Sequence, residues 1–423
     1  MTQPAPGQVH HARIADLHPP ERPTRISLYL RETLLVYEAP PERLAGLRPH
    51  ALVVFSVDAQ GALASIAPEP AHVPARARPD GDVLRWRHGP PGVTRMALLT
   101  QRHRIVQSIR AWFDAQGFLE IETPALVRAP SPEAVFDPVP AGQGWLITSP
   151  EFQQKRLLVG GFERIYRLGP AFRSGEVGVH HNPEFTLLEW YRAHADSRAL
   201  AADLEGLLGA LAPLAAQAAT LWGDAERRQR LRALADALRQ RPWGSVTVRA
   251  LFAERLGMEI AGVTTVAALR AEALRAGMPG ADALPEEFIA AFSTLWLRIE
   301  PGLPPGPLLV TDWPAPTASL ARLKADDPTV AERIELYVGG LELANGFAEL
   351  TDPDEQRARF EADLAARRAQ QLPSVPLDEA FLAALGEGMP PAAGMALGVD
   401  RLVLLLTGAD ALRDVLSFAW DER

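Results

Sequence analysis

Short apolar runs that alternate with polar residues occupy the N-terminal part of the chain. Residues 25–30 and 51–57 have this pattern, which is typical of β-strands. We therefore predict a small β-rich domain over residues 21–70, for which a barrel of the OB type is one arrangement. Residues 1–20 are expected to be a disordered leader, and residues 71–98, rich in Pro, Arg, Asp and Gly, a linker.

A larger domain is predicted over residues 99–423. Apolar residues at helical spacing predict a helix over 102–116, and Gly117 is a natural helix stop. A mostly helical insert rich in Ala, Leu and Arg follows at about 198–300. Further expected elements are strands at 163–168 and 185–191, a β-hairpin near 333–350, helices near 354–371 and 378–386, and a strand-turn-helix at 395–407. Because helices and strands are segregated rather than alternating, the fold class is α+β.

Composition narrows the possible chemistry. The chain has no cysteine, which excludes disulfides, thiolate zinc sites and cysteine nucleophiles. The formal net charge of −9 argues against a long nucleic-acid interface, because phosphate neutralisation needs a basic surface. No apolar run approaches the length of a membrane span, and the N-terminus is too polar for a signal peptide, so we expect a cytoplasmic protein without a membrane partner.

The first segment that suggests chemistry runs from Arg173 through a loop rich in Gly and His to a strand. Strand side chains alternate between faces, so Phe185, Leu187, Glu189 and Tyr191 share one face. A glutamate and a tyrosine beside an aromatic ring suit a pocket that holds a planar base at one end and a cation at the other. The alternative is a half-exposed strand with a solvated glutamate.

The second segment is the hairpin, with Gly339 and Gly340 as its turn. This turn places Glu342 opposite Tyr337 and makes Glu335 and Glu342 diagonal neighbours, about 7 Å apart. Two carboxylates at that separation can share a divalent cation. The alternative is a surface hairpin with solvated acids.

In a regular strand after the turn, the candidate site residues would not all point to the same face of the sheet. Asn345, Phe347 and Glu349 share a face, whereas Glu342 has the opposite parity. A bulge is therefore needed if all of them line one site, and Gly346 is the position where we expect it.

The third segment opens the last helix. Gly394 and Gly398 allow close approach of the backbone, Asp400 is placed to cap the helix, and Arg401 emerges near its start. A guanidinium there suits a phosphate. Alone, this segment is also typical of an ordinary helix entry.

Taken in order, these segments resemble the motifs of class II aminoacyl-tRNA synthetases, with motif 1 at about 103–124. The resemblance covers about three quarters of the chain, from Leu99 onwards. Four sequence segments are similar to the lysyl group of this class, and most similar to the elongation factor P–(R)-β-lysine ligase family. They are residues 148–157, 181–191, 342–347 and 396–402. This implies an antiparallel sheet of six or seven strands flanked by helices, and a homodimer formed through motif 1.

The resemblance implies an ATP site with magnesium. Arg173 would contact the α-phosphate and the substrate carboxylate, Phe185 would stack on adenine, and Arg401 would cover the base and meet the γ-phosphate. The other positions implied are Glu176, Asn182 and Gly398 for ATP, and Glu335 and Glu342 for Mg²⁺. The residues given a catalytic role are Arg173, Glu342 and Arg401.

The resemblance also implies an amino-acid site for lysine or β-lysine. Glu151 would receive the amino group near the reacting carboxylate. The positions implied for the rest of the substrate are Glu189, Tyr191, Asn345, Phe347 and Glu349. Ser149 and Ala396 stand where lysyl-tRNA synthetases usually have alanine and glycine, and both match the ligase, whose pocket prefers (R)-β-lysine to α-lysine.

Three departures from the tRNA-charging members are visible. Gly175 replaces a glutamate, so Glu176 is expected to take its role, and the loop arginine expected near Val179 is absent. The chain also carries about 98 residues before motif 1, where the ligases usually begin. Residues 1–97 hold 11 Arg and 9 acidic residues, which does not point strongly to tRNA.

Three functions remain open from the sequence. The first is activation of (R)-β-lysine or lysine and its transfer to a lysine of elongation factor P. The second is a lysyl-tRNA synthetase-like or biosynthetic ligase with another acceptor, namely tRNA, a carrier protein or a small molecule. The third is a non-enzymatic paralogue, against which the motif arginines and the acids predicted to bind magnesium argue.

Overall fold

The computed structural model contains two units, residues 1–100 and 101–423, each of which is described by itself. The residues that the structure describes are 4–30, 33–69, 85–87, 89–134 and 136–422. Most of the linker predicted at 71–98 lies outside them, and residues 95–98 belong to a helix.

The first unit is a five-stranded antiparallel sheet with a short helix. Its elements are β1 (His10–His18), β2 (Arg25–Leu30), β3 (Thr33–Glu38), α1 (Pro41–Leu44), β4 (Leu52–Val57) and β5 (Leu63–Pro68). The order is β3-β2-β1-β4-β5, and Ile14, Ile26, Leu28, Val53 and Phe55 are buried together on one face. The predicted β-rich region is confirmed. No pairing joins β3 to β5 among the described residues, so the OB barrel stays a prediction.

The prediction of a disordered leader over residues 1–20 is wrong for residues 10–18. They form β1, the central strand of the sheet, which pairs with both β2 and β4. Ala12, Ile14 and Leu17 point into the core. The alternation was hidden because histidine, arginine and aspartate fill the outward positions, and a bulge between Ile14 and Asp16 shifts the period.

The second unit is built on an eight-stranded sheet. Its six central strands are antiparallel, in the order β13 (Pro307–Pro314), β14 (Val330–Val338), β15 (Leu341–Ala348), β16 (Ala392–Gly398), β11 (Glu184–Ala193) and β10 (Arg164–Phe172). Parallel edge strands β12 (Gly244–Thr247) and β6 (Leu119–Glu120) raise the count above the expected six or seven. Three short strands form a separate sheet, namely β7 (Leu126–Val127), β8 (Pro140–Ala141) and β9 (Gly144–Leu146).

Helices flank this sheet, which confirms the α+β class II architecture. They are α2 (Arg95–Ala115), α3 (Glu151–Val159), α4 (Ser197–Ala218), α5 (Ala225–Arg239), α6 (Val248–Leu256), α7 (Val266–Arg275), α8 (Phe288–Trp296), α9 (Pro353–Ala369), α10 (Glu379–Gly388), α11 (Val399–Thr407) and α12 (Leu412–Val415). The insert predicted at 198–300 holds α4 to α8, but β12 within it joins the sheet edge. Its core is a cluster of aromatic and aliphatic side chains around Phe252, Phe292 and Trp296.

One helical segment, 197–221, is long and apolar enough to cross a membrane, contrary to the expectation from the sequence. Its apolar character comes from many Leu and Ala residues. Leu200, Leu204, Leu207, Leu208 and Leu211 are fully buried, and the helix packs against α5 and α11. This is the pattern of a core helix.

Arg367 on α9 holds the segment between β7 and β8 of the short sheet. Its side chain is 1% exposed, and its guanidinium donates to the carbonyls of Glu133, Phe136 and Pro373 and to the carboxylate of Asp137. A buried arginine with this many acceptors holds a loop without secondary structure in one conformation.

We expect Arg367→Ala to lower the free energy of unfolding by about 3 kcal/mol, because three carbonyls and one carboxylate lose their donor inside the protein. The measurement is denaturant unfolding. Arg368→Ala, at the exposed neighbouring position, is the control and should change stability by less than about 0.5 kcal/mol. Equal effects of the two substitutions would contradict the role of Arg367.

Candidate active site

Two rows of side chains cross four neighbouring strands of the central sheet. In the first row Glu189, Ala396, Asn345 and Glu335 pair in register across β11, β16, β15 and β14. The second row, at the matching positions two residues along, is Tyr191, Gly394, Phe347 and Arg333. Residues in register on adjacent strands project to the same face. These eight positions, which include six predicted site residues, therefore form one floor.

Glycine is required where the floor is tightest. A Cβ on Gly394 would lie 2.2 Å from the ring of Tyr191 and 2.5 Å from Glu349 Oε1. On the other face of the sheet, a Cβ on Gly346 of β15 would lie 2.6 Å from the side chain of Met395. On the floor, Gly394 of β16 thus leaves the space in which the side chains of Tyr191 and Glu349 stand.

The hairpin has the turn and the pairing that the sequence predicts. Gly339 and Gly340 both have positive φ, and Tyr337 pairs with Glu342. A bulge does separate Glu342 from Asn345, but it falls at Leu343 rather than at Gly346, because Leu336 already pairs with Ala344. The bulge shifts the strand's parity, so Glu342 and Asn345 line the same cavity.

Glu189 lies on β11, an outer strand of the four that form the floor. Its residue is 2% exposed, and its carboxylate accepts hydrogen bonds from Ser149 Oγ at 2.7 Å and from the Tyr191 hydroxyl at 2.9 Å. Burial, followed by the charge of nearby Glu151, raises the pKa of Glu189 to about 8. Both donors are neutral, so the carboxylate has no counter-charge of its own.

Two further carboxylates share one buried ammonium. Lys155 Nζ lies 2.5 Å from Glu151 Oε1 and 2.6 Å from Glu349 Oε2, and its side chain is 0% exposed. Burial raises the pKa of Glu151, while the two carboxylates hold Lys155 in its charged form and raise its pKa. Glu151 lines the cavity, whereas Glu349, which pairs with Lys155, does not.

Arg173 marks the end of the site away from Glu189. It follows β10, and its guanidinium lies 3.9 Å from the ring centroid of Phe136 and 5.1 Å from that of Phe185. Glu176 is its ion-pair partner at 3.8 Å. Burial lowers the pKa of Arg173, and Glu342 and Arg401 both act on its charge. Two arginines and two glutamates thus share this end of the site.

Arg401 joins the loop after β10 to the hairpin. It donates to the carbonyl of Glu342 at 3.0 Å, lies 3.8 Å from that residue's carboxylate, and contacts His181 Nε2 at 2.6 Å. Gly398 is the N-cap residue of α11, which begins at Val399 beside this arginine. Burial and the nearby Arg401 lower the pKa of His181, so this ring is neutral at neutral pH.

Asp400 does not cap α11 as predicted. Its carboxylate accepts from the backbone N–H of Thr186 at 2.9 Å and pairs with Arg102 at 2.6 Å. It points to β11 and α2 rather than to its own helix, because those elements supply a charged partner as well as a backbone donor. Asn182 also has structural partners, Glu184 and Trp420.

Glu335 is held by donors from two directions. Arg333 Nη2 lies 2.5 Å from one oxygen, the Tyr337 hydroxyl lies 2.7 Å from the other, and Trp296 Nε1 donates to that hydroxyl at 3.0 Å. Burial raises the pKa of Glu335 to about 7, which Glu342 reinforces. Trp296 belongs to α8, so the helical insert contacts this carboxylate through Tyr337.

The two acids predicted to bind magnesium fit such an ion only together with a ligand. No group of three or more His, Cys, Asp or Glu residues within the described ranges is arranged to hold a metal. The side chain of Glu342 is 39% exposed and has oxygen available, while both oxygens of Glu335 already accept hydrogen bonds. Magnesium is commonly bound by one or two carboxylates with substrate phosphates, and this pair suits that arrangement.

One cavity of about 870 Å³ contains most of these groups. It brings together ten predicted residues, namely Ser149, Glu151, Arg173, Glu189, Tyr191, Glu335, Glu342, Asn345, Phe347 and Ala396. Six predicted residues lie outside its lining, namely Glu176, Asn182, Phe185, Glu349, Gly398 and Arg401. A cavity in which the carboxylates of Glu151 and Glu189 lie apart from the guanidinium of Arg173 can bind a ligand with ammonium groups beside a polyanion.

Three residues at this site were missed by reasoning from the sequence. Lys155 lies one turn after Glu151, the spacing at which helical charges pair, so it could have been found. Arg333 has the same strand parity as Glu335 and could have been placed beside it. Trp296 offered no signal, because its contact with Tyr337 joins distant parts of the chain.

Comparisons with known proteins agree with this geometry. The family of class II tRNA synthetases (D, K and N) matches residues 93–422. An elongation factor P–(R)-β-lysine ligase from Pectobacterium carotovorum subsp. carotovorum is 38% identical over 336 residues, which cover 77% of this chain and 95% of that protein. The ligases of the same name from Yersinia enterocolitica and Sodalis glossinidius are 37% and 36% identical, each over 80% of this chain and 98% of their own. The chain belongs to the class II synthetase family, within the group of elongation factor P–(R)-β-lysine ligases, and that membership implies the use of ATP.

Proposed function

We propose that this protein activates (R)-β-lysine or lysine with ATP and transfers the aminoacyl group to a lysine side chain of elongation factor P in the cytoplasm. The observation that carries this proposal is the charge pattern of the cavity. Glu151, Glu189 and Arg173 all line it, and Arg173 lies six residues beyond Arg167, the strand partner of Glu189, so the acids and the arginine are far apart. The acceptor is the one named for the relatives.

The first step forms an aminoacyl adenylate. A carboxylate oxygen of the amino acid attacks the α-phosphorus of ATP, the bond from that phosphorus to the bridging oxygen breaks, and pyrophosphate leaves. Arg173 binds the two anions that must approach each other, and Arg401 binds the outer phosphates. The acceleration of this step comes from the positioning of the two reactants and from fixed positive charge, and no protein nucleophile is needed.

Magnesium held by Glu335 and Glu342 would offset the negative charge of the phosphates. Arg333 and Tyr337 keep Glu335 in place for that role. Trp296 fixes the Tyr337 hydroxyl in turn. The protein's own contribution here is therefore a carboxylate whose orientation is set before ATP binds.

The amino acid is oriented by its ammonium groups. Glu189 and Glu151 face the cavity, and a neutral analogue would leave both carboxyls without a partner. Ser149 Oγ donates to Glu189 and accepts from the backbone N–H of Glu151 at 3.1 Å. An alanine at this position would lack both bonds, which supports a pocket shaped differently from that of a tRNA-charging enzyme.

The second step passes the aminoacyl group to the acceptor. The acceptor amine attacks the carbonyl carbon of the adenylate, the bond to the phosphate oxygen breaks, and AMP leaves while the amine loses a proton.

We further expect a homodimer through residues 103–124. Leu119, in the strand part of that segment, is 52% exposed in the single chain, which leaves apolar surface for a second copy.

ATP–pyrophosphate exchange with a panel of amino acids tests this function. We expect exchange with (R)-β-lysine well above that with α-lysine, followed by transfer to elongation factor P. Exchange with α-lysine alone would favour tRNA or another acceptor. A folded protein that supports no exchange in the presence of magnesium would overturn the proposal.

Arg173→Met should lower kcat for exchange by about 100-fold or more, because a charge that stabilises the transition state is lost from a buried site. Arg164→Met is the matched control, since Arg164 is exposed at the start of β10, the strand that Arg173 follows. Its kcat should stay within about twofold. Similar losses in both variants would show that Arg173 has no special role.

The KM for the amino acid should fall as pH rises from about 6.5 to 8.5. The pKa of Glu189 is raised to about 8, so below that pH the carboxyl is protonated and cannot balance an ammonium group. The expected change approaches tenfold per pH unit on the acid side. Exchange kinetics across this range measure it, and Glu189→Gln should have a higher KM without this slope. A wild-type KM independent of pH would contradict the assignment.

A further inference from the structure

Lys155 is the least expected side chain beside the amino-acid end of the cavity, where it pairs with the lining residue Glu151. The chain has only two lysines among its 43 lysine and arginine residues, so arginine supplies nearly all positive charge. One of the two lysines is fully buried on α3, in ion pairs with Glu151 and Glu349. A compact ammonium fits between two carboxylates where the planar guanidinium of arginine needs more room.

The charges around Lys155 do not cancel. Glu151, Glu189 and Glu349 are three carboxylates with one ammonium among them, and within the described ranges no other lysine or arginine forms an ion pair with any of the three. The neighbouring titratable groups are Tyr191 and Glu133. Arg167, opposite Glu189 on β10, is near enough for that carboxylate to act on its charge, but its guanidinium donates to the carbonyl of Pro170 and forms no ion pair with Glu189.

Two positive charges are therefore missing from the pocket when all three acids are ionised. A diamino acid brings two ammonium groups and directs its carboxylate to Arg173. Without Lys155 the deficit would be three, and Glu349, whose side chain is 0% exposed, would be left unpaired. A buried carboxylate without a counter-charge becomes protonated or forces its neighbours apart.

We propose that Lys155 is the internal counterion of the amino-acid pocket, a positioning and specificity-determining residue. It neutralises one of three carboxylates, so that the remaining two match a diamino acid, and it holds Glu151 and Glu349 in place. This inference rests on the proposed activation of (R)-β-lysine or lysine. It adds a substrate rule: amino acids with two ammonium groups are accepted, and isosteres with one are rejected.

The test is a charge-compensation cycle with Lys155→Met, Glu349→Gln and the double variant, measured as KM in ATP–pyrophosphate exchange with (R)-β-lysine. Lys155→Met should raise this KM by about 100-fold, with the KM for ATP within about threefold. The double variant has the net pocket charge of the wild type, so its KM should lie close to that of the wild type and far below that of Lys155→Met. The effects of the two substitutions are then far from multiplicative.

A pH profile separates this role from simple structural support. In Lys155→Met the pH at which the amino-acid KM levels off should move upward, because the carboxylates lose their counter-charge. In the double variant, which also carries Glu349→Gln, that pH should move back. Lys324→Met is the matched control: it removes the other lysine, which pairs with Asp312 and is 32% exposed. Its KM values should stay within about twofold of the wild type.

Each result decides the matter. If wild-type protein supports no exchange with any diamino acid, the proposed function fails. If the wild type is active and Lys155→Met has a normal KM and pH profile, the counterion role alone fails. If Lys155→Met does not fold, the double variant must fold and have a KM close to that of the wild type. A double variant that is also unfolded, or whose KM lies far above that of the wild type, would overturn the counterion role.

Discussion

Burial of carboxylates on the inner face of one sheet is the constraint on which the rest of the second unit depends. Glu189, Glu335 and Glu349 are each at most 2% exposed. An ionised carboxyl in such a place is costly unless donors surround it. Five side chains near the site supply those donors, namely Ser149, Tyr191, Arg333, Tyr337 and Lys155.

The donors differ in kind at the two ends of the cavity, and this gives each end its chemistry. Glu189 has only hydroxyl donors, so it keeps a high proton affinity and a demand for positive charge. Arg173 and Arg401 instead share their surroundings with Glu176 and Glu342. A ligand with ammonium groups at one end and phosphates at the other therefore meets complementary charge along its whole length. The insert contributes to this rigidity through Trp296.

Sequence reasoning reached those features that follow from local alternation and turn chemistry. The shared face of Glu189 and Tyr191, the turn at Gly339 and the pairing of Glu342 with Tyr337 are of this kind. Features that depend on residues far apart in the sequence could not be predicted. The register that sets Ala396 between Glu189 and Asn345 joins strands far apart in sequence. Asp400 could be read as a cap only because its partners were unknown.

The bulge at Leu343 limits how this hairpin can change over time. The same residues paired without a bulge would turn Glu342 and Asn345 to opposite faces of the sheet, because three positions separate them. One unpaired residue thus keeps the two side chains in phase. A residue inserted between them would turn one of the two away unless it formed a second bulge. Leu343 is the residue whose loss would leave Glu342 and Asn345 on the same face, since they would then lie two positions apart.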